Sequence, residues 1–303
     1  MGPLHRDELV LDTARVRRLV DATFPQYAGL PLAPLGDSGS TNALFRLGDD
    51  LLVRLPRQPG GGASVAKEAR WLPFVDARTT AAVPSIVGVG EPGPDDPERW
   101  AVTRWLDGVR PRAGHGSVAL ARDLARFLTE LRAMEVPAGA ADDEELRWYR
   151  GGPLAAQDAE LRESVTQCRR LGLPLDLDEA LRVWDLALEA SATTRATAGW
   201  YHGDLLAENL LVDEDGHLSA VLDFGTLGIG DPAVDLVVAW EVLGAEGRRE
   251  LRARLDVDDA TWTVSRGWAL LIALITFPYY GATMPRRCAD RLTMARAALG
   301  PDA

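Results

Sequence analysis

At 303 residues and 47% apolar content, the chain can bury one large core or two moderate ones, which predicts a globular protein of two lobes. A net charge of −12 excludes nucleic acid as a partner, because phosphate neutralisation needs a basic face; it suits a cationic small molecule, or simply a solvated acidic surface. Two cysteines far apart in sequence, Cys168 and Cys288, make neither a disulfide framework nor a metal knuckle and predict a reducing, cytoplasmic setting.

The first residues carry acids where an export signal needs an apolar core, so no export is expected. Asp12 is placed to cap a helix over 13–24, with Val16, Leu19, Val20 and Phe24 on one face and Pro25 stopping it. Residues 36–57 read as a Gly/Ser turn, a strand (43–47), a Gly-Asp-Asp turn and a second strand (51–55). The turn supplies Gly36, Ser38, Gly39, Ser40 and Thr41, whose backbone N–H groups and hydroxyls suit phosphate oxygens. A helix opened by Ser64 or Val65 follows, carrying Glu68. Residues 81–90 and 100–108 read as strands around a Pro- and acid-rich surface loop.

Ser117 is placed to cap a helix to about Met134, whose Leu120, Leu124, Phe127, Leu128 and Leu131 line one face. Asp178 is expected to cap another, containing Leu181, Trp184 and Leu188. The apolar run 268–280 is too short to span a bilayer and contains Pro278, so a last buried helix, and no membrane partner, is expected there.

The chemistry concentrates in HGDLLAENLLVDEDGHLSAVLDFG, residues 202–225. Asp204 and Asn209 stand five apart in a polar loop, Asp215-Gly216 marks a hairpin between 210–212 and 218–224, and Asp223 closes the set. These carboxylates and the amide suit Mg²⁺ and an acceptor hydroxyl. The stretch 212–218 lacks the alternating oxygen ligands of a calcium loop and reads as a turn.

An HxDxxxxN motif followed by DFG is the catalytic pair of the protein-kinase-like fold. With HGD in the first position and DFGTLGIGDPAVDL in 223–236, the chain resembles the aminoglycoside phosphotransferase family from about Leu32 to Tyr280. The resemblance implies an α+β, protein-kinase-like fold of two lobes: a small β-rich N-lobe over 1–103, a linker at 104–108, and a larger, mainly helical C-lobe over 109–303. It implies ATP, with GTP as an alternative, and Mg²⁺ as cofactors, and a monomer or homodimer acting on a small hydroxylated substrate. Asp204 becomes the catalytic base, and Asn209 and Asp223 the metal ligands. Ser38, Ser40 and Thr41 approach phosphate. Arg54 stands where the family usually has a lysine, with Glu68 as its partner acid; Lys67 is the one lysine in the chain. Linker backbone at Arg104 and Leu106 faces the adenine ring. The acidic run 142–145 and the segment 146–165 fall where the family varies its substrate, and Trp240, Glu241 and Tyr279 are candidate substrate contacts. Glu208 either greets a substrate amine or faces water. His202 is expected to brace the loop, and Asp235 to bond its backbone.

From Asp223 to Val234 there are only about a dozen residues and no APE, too little for the peptide-holding segment of a protein kinase. The expected activity is therefore O-phosphorylation of a small molecule such as an antibiotic. A kinase of choline, homoserine or a sugar amine, and an inactive nucleotide-binding module, are the alternatives.

Overall fold

Helix α1 (Thr13–Thr23) opens on Asp12, whose carboxylate accepts the Arg15 N–H at 2.7 Å. In this computed structural model, which describes residues 4–36, 39–93, 97–194 and 197–300, α1 packs on the first of two compact units. That unit combines the chain up to Ala77 with Ala82–Asp107 and Leu222–Gly225. Its sheet contains β1 (Leu32–Pro34), β2 (Asn42–Leu47), β3 (Leu51–Pro56), β4 (Ile86–Gly90) and β5 (Trp100–Arg104), in the antiparallel order β1-β2-β3-β5-β4. The β2–β3 hairpin turns at Gly48, whose φ of +59° suits glycine. Val16, Val20, Phe45, Val53, Leu55, Trp100 and Val102 form the core beneath α1.

Helix α2 (Gly62–Asp76) starts earlier than Ser64. The reason is a cap from another part of the chain: the Glu98 carboxylate accepts the N–H groups of Gly60 at 2.7 Å and Gly62 at 2.8 Å, satisfying donors that no local side chain reaches. A second difference concerns Leu222–Gly225, which groups with the first unit and not with its sequence neighbours in the second. There the Phe224 N–H bonds Glu68 of α2.

The second unit contains Arg78–Ala81, Gly108–Val221 and Thr226–Ala303. Helix α3 (Val118–Ala133) is capped by Ser117, which accepts the Leu120 N–H. Helices α4 (Asp158–Leu171) and α5 (Leu177–Thr193) follow. The cap of α5 is Asp176, not Asp178: Asp176 accepts the N–H groups of both Asp178 and Glu179, while Asp178 pairs with Arg169. Strands β6 (Gly199–Tyr201) and β9 (Gly228–Gly230) pair, and β7 (Leu210–Val212) pairs with β8 (Leu218–Val221) across a turn at Gly216, φ +82°. Short helix α6 (Val237–Glu241) and α7 (Ala245–Arg254) lead to α8 (Asp259–Tyr280).

By length and composition α8 could cross a membrane, but 72% of its most apolar window is buried inside the protein, against α4, α5, α6 and a last helix, α9 (Pro285–Leu299). Helix α9 corrects the expectation that α8 ends the fold. Its weak apolar periodicity hid it from sequence, although Pro285 stands at the first-turn position where proline is tolerated.

Candidate active site

In the first unit, β3 carries Arg54 inward and α2 presents Glu68 opposite it; both side chains are buried. Arg54 Nη1 lies 3.0 Å from Glu68 Oε2 and Nη2 lies 3.3 Å from Oε1, a two-pronged contact that a lysine cannot make. Glu68 Oε1 also accepts the Phe224 N–H at 2.9 Å, which fixes the start of the DFG turn. Arg54 Nη2 reaches Asp223 Oδ1 at 3.7 Å. Burial works to lower the Arg54 pKa, but Glu68 and then Asp223 outweigh it and raise it. Asp223 has φ +60°, a conformation costly for a residue with a Cβ, and its side chain keeps 35% of its exposure.

Residues 39 and 40 of the Gly/Ser stretch are tied to the chain on both sides of it. The Ser40 carbonyl takes a hydrogen bond from His5 Nε2 at 2.8 Å, and the Gly39 carbonyl takes one from Arg57 Nε at 3.1 Å. Ser40 is buried and Thr41 exposed, whereas Ser38 lies outside the described residues. Arg104 closes β5, its N–H committed to the Ser85 carbonyl at 2.8 Å; Leu106 lies two residues beyond the strand.

In the second unit, the loop after β6 is built on Asp235. This buried carboxylate accepts the N–H groups of His202 at 2.7 Å and Gly203 at 2.8 Å, as expected of a structural acid. His202 Nδ1 accepts the Asp204 N–H at 3.2 Å, and Gly203, at φ +83°, lets the chain turn. Asn209 Nδ2 then donates to Asp204 twice, to the backbone carbonyl at 2.8 Å and to Oδ2 at 2.9 Å. With Nδ2 so committed, Asn209 Oδ1 is turned away from Asp204.

Three arginines that sequence reasoning missed complete this region. Arg150 Nη1 bonds Asp204 Oδ1, and also the Gly203 carbonyl at 2.9 Å. Arg291 of α9 bonds Glu241 and, at 2.8 Å, Glu208; Arg287 holds Glu208 at 3.1 Å. Burial works to raise the Asp204 carboxyl, but Arg150 first and Arg291 second hold it below its ordinary range.

The same network includes several of the expected substrate contacts. Glu208 is paired with two guanidiniums, those of Arg287 and Arg291, and keeps 15% exposure. Glu241 is fully buried, accepting the Ala207 N–H at 2.7 Å, so it positions the loop from behind. Trp240 is buried too, its Nε1 donating to Ser265 at 3.0 Å. Tyr279, by contrast, is 58% exposed at the end of α8.

The donor chemistry fits a magnesium nucleotide. Each unit carries a hard oxygen of the kind Mg²⁺ takes alongside phosphates: the partly exposed Asp223 carboxylate in the first and Asn209 Oδ1 in the second.

Comparison with known proteins agrees with this chemistry. The family model described as "Phosphotransferase enzyme family" matches residues 33–269. Viomycin phosphotransferase from Streptomyces vinaceus is 34% identical over 141 residues, a match that spans 45% of this chain and 45% of that relative. The GDP complex of wild-type aminoglycoside 2'-phosphotransferase-IIIa superposes with a TM-score of 0.71 at 20% identity, covering 95% of this chain and 99% of the other. The macrolide 2'-phosphotransferase MphH from Brachybacterium faecium gives 0.61 at 21% identity, covering 96% and 98%.

Proposed function

The chain belongs to the phosphotransferase enzyme family, and on that premise we propose that it transfers the terminal phosphoryl group of ATP to a hydroxyl of a small antibiotic. The observation that carries this reading is the pairing of Asp204 with Asn209. One amide nitrogen holds both the backbone and the carboxylate of Asp204, so the acceptor-facing oxygen and the metal-facing oxygen are set by a single side chain.

When bound, Mg²⁺ would neutralise the charge between the phosphates, and the resemblance to the family makes Asn209 and Asp223 its protein ligands. Arg54, oriented by Glu68, holds the inner phosphates, and Ser40 and Thr41 supply backbone N–H groups to them; Ser38, outside the described residues, is assigned the same role from the sequence alone. Arg104 and Leu106 offer backbone groups to the base of the nucleotide. Asp204 receives the acceptor hydroxyl as a hydrogen-bond acceptor. Its lowered pKa makes it a weak base, so it orients the nucleophile first and takes the proton late, after the phosphoryl bond has loosened. Tyr279 is the remaining candidate for acceptor contact. Both cysteines are free thiols, the form a reducing, cytoplasmic setting would keep.

The test is ADP release by the purified chain against aminoglycosides, macrolides, tuberactinomycins and nucleoside antibiotics, with choline, homoserine and sugar amines alongside and GTP in parallel. Asp204→Ala should lose on the order of 10²–10⁴-fold in kcat while keeping nucleotide affinity. Asp223→Asn should lose Mg²⁺-dependent nucleotide binding as well. Transfer only to the metabolites would sink the antibiotic reading, and Asp204→Ala at wild-type kcat would sink the base.

A further inference from the structure

We propose that Arg150 is a positioning residue that ties the acceptor-side segment 148–151 to the Asp204 carboxylate. The inference rests on the phosphotransferase reading above.

Arg150 comes from a stretch remote in sequence from the HGD and DFG motifs. Its guanidinium makes three directed contacts: Nη1 to Asp204 Oδ1, Nη1 to the Gly203 carbonyl at 2.9 Å, and Nε to the Tyr149 hydroxyl at 2.9 Å. Asn209 holds the other carboxylate oxygen, Oδ2. The Asp204 side chain is thus fixed at both oxygens. An ionised carboxylate offers about four lone-pair sites, so two such contacts leave capacity for an acceptor hydroxyl. The side chain remains 23% exposed, which leaves room for one.

The segment that delivers Arg150 is itself held firmly. Tyr201 Oη accepts the Trp148 N–H at 3.1 Å and donates to the Trp148 carbonyl at 3.2 Å. Burial raises the Tyr201 pKa to about 12, so the hydroxyl keeps the proton that this second bond needs. The Gly151 carbonyl accepts the Asp231 N–H at 2.9 Å. Gly151 packs so closely that a Cβ there would lie 2.1 Å from a Tyr201 ring carbon. Strands β6 and β9 therefore carry both the catalytic loop and its clamp.

Charge compensation alone does not account for this arrangement. Asp204 has Arg291 as a second cation, and it is partly solvated. The bond to the Gly203 carbonyl compensates no charge; it fixes the guanidinium relative to the loop backbone. Immediately before Arg150 stand Trp148, 43% exposed, and Tyr149, 37% exposed, with rings 5.2 Å apart. An acceptor lying on those rings would meet the same short segment that orients Asp204. Acceptor binding and placement of the hydroxyl-orienting carboxylate are thereby coupled through one arginine.

The experiment compares wild type, Arg150→Ala, Arg150→Lys and Asp204→Asn as full-length proteins with Mg·ATP and an acceptor found by the panel. Arg150→Ala should lose on the order of 10²-fold in kcat, the scale of an ångström-level misplacement, with the KM for ATP unchanged. Arg150→Lys should recover only part, and millimolar guanidinium ion added to Arg150→Ala should restore part of kcat. Arginine-selective ¹⁵N NMR supplies a readout without turnover: the Arg150 guanidinium N–H signals should exchange faster with water, and so broaden, in Asp204→Asn. Should Asp204→Asn abolish transfer while Arg150→Ala keeps wild-type kcat, the proposal is overturned and the function stands. A kcat loss accompanied by a proportional rise in the KM for ATP, without rescue by guanidinium, also overturns it in favour of a folding role. Absence of transfer by wild type to every acceptor overturns both.

Discussion

Glu68→Gln tests the cation site of the first unit most directly. Glu68 Oε1 accepts from Arg54 Nη2 and from the Phe224 N–H, and Oε2 accepts from Arg54 Nη1. A glutamine keeps one acceptor oxygen. If that oxygen stays on Phe224, its NH₂ faces Arg54 Nη1, donor against donor, and a buried guanidinium loses its anion. Removing one partner of a buried pair costs about 3–5 kcal/mol. Here the loss is smaller, about 2–4 kcal/mol, because Asp223, already 3.7 Å from Arg54, becomes the replacement partner. Against a total stability of roughly 5–15 kcal/mol the effect is large. It also has a functional signature: an Asp223 drawn onto Arg54 is a poorer metal ligand, so Mg²⁺-dependent nucleotide affinity should fall together with the denaturation midpoint. Urea unfolding and calorimetric titration of Mg·ATP measure the two. The Arg54→Met and Glu68→Gln double variant should lose less than the sum of the singles, since each removes a charge that the other strands. A midpoint shift under about 0.5 kcal/mol for Glu68→Gln, or strict additivity in the double variant, would refute the reasoning.

Two further predictions concern the second unit. Asp235→Asn leaves one acceptor for the two N–H groups of His202 and Gly203, so one buried donor goes unpaired; the expected cost is about 1–3 kcal/mol, and an unchanged urea midpoint would dismiss the role. His217 bonds Asp123 at 2.7 Å, and that bond, with the charges of Asp123, Asp213 and Asp215, raises its pKa above the ordinary 6.5. A raised folded-state pKa means that the proton is held more tightly in the folded chain. Its stabilisation is therefore full below the unfolded value and is lost as pH rises through the folded one. Imidazole NMR should show His217 titrating above 6.5 and returning towards it in Asp123→Asn; identical curves in the two proteins would count against the pair.

What was legible in sequence was local. Asp12 and Ser117 cap helices within three residues of themselves, and Asp215-Gly216 turns a hairpin between adjacent strands. The Arg54–Glu68 pair was reachable because a motif resemblance supplied the long-range link that spacing could not. Arg150 and Arg291 were not legible: they reach Asp204 and Glu208 across 54 and 83 residues, and no periodicity encodes such a pairing. The surroundings of Glu208, Trp240 and Glu241 were hidden for a related reason. Lying in or near the motif, they looked exposed to substrate, but burial depends on α9 packing behind them, and that helix was itself unseen.

The arginines share a geometric property that connects these observations. Arg54 spans Glu68 and Asp223, Arg291 spans Glu241 and Glu208, and Arg150 spans a carboxylate and a carbonyl. Arg54 and Arg291 each join two acceptors on different segments, which the planar guanidinium fork does without giving up either bond, whereas Arg150 ties two adjacent residues of one loop through Nη1. An ammonium is a compact point charge, and placed at position 54 it would meet Glu68 or lean towards Asp223, but not hold both in one plane. A chain with 32 arginines and one lysine can therefore use an arginine in this strand because α2 and the DFG turn stand where both prongs find an oxygen. It follows that Arg54→Lys, which restores the residue usual in that strand, should leave Asp223 less well oriented, and that the lysine and its surroundings have to change together.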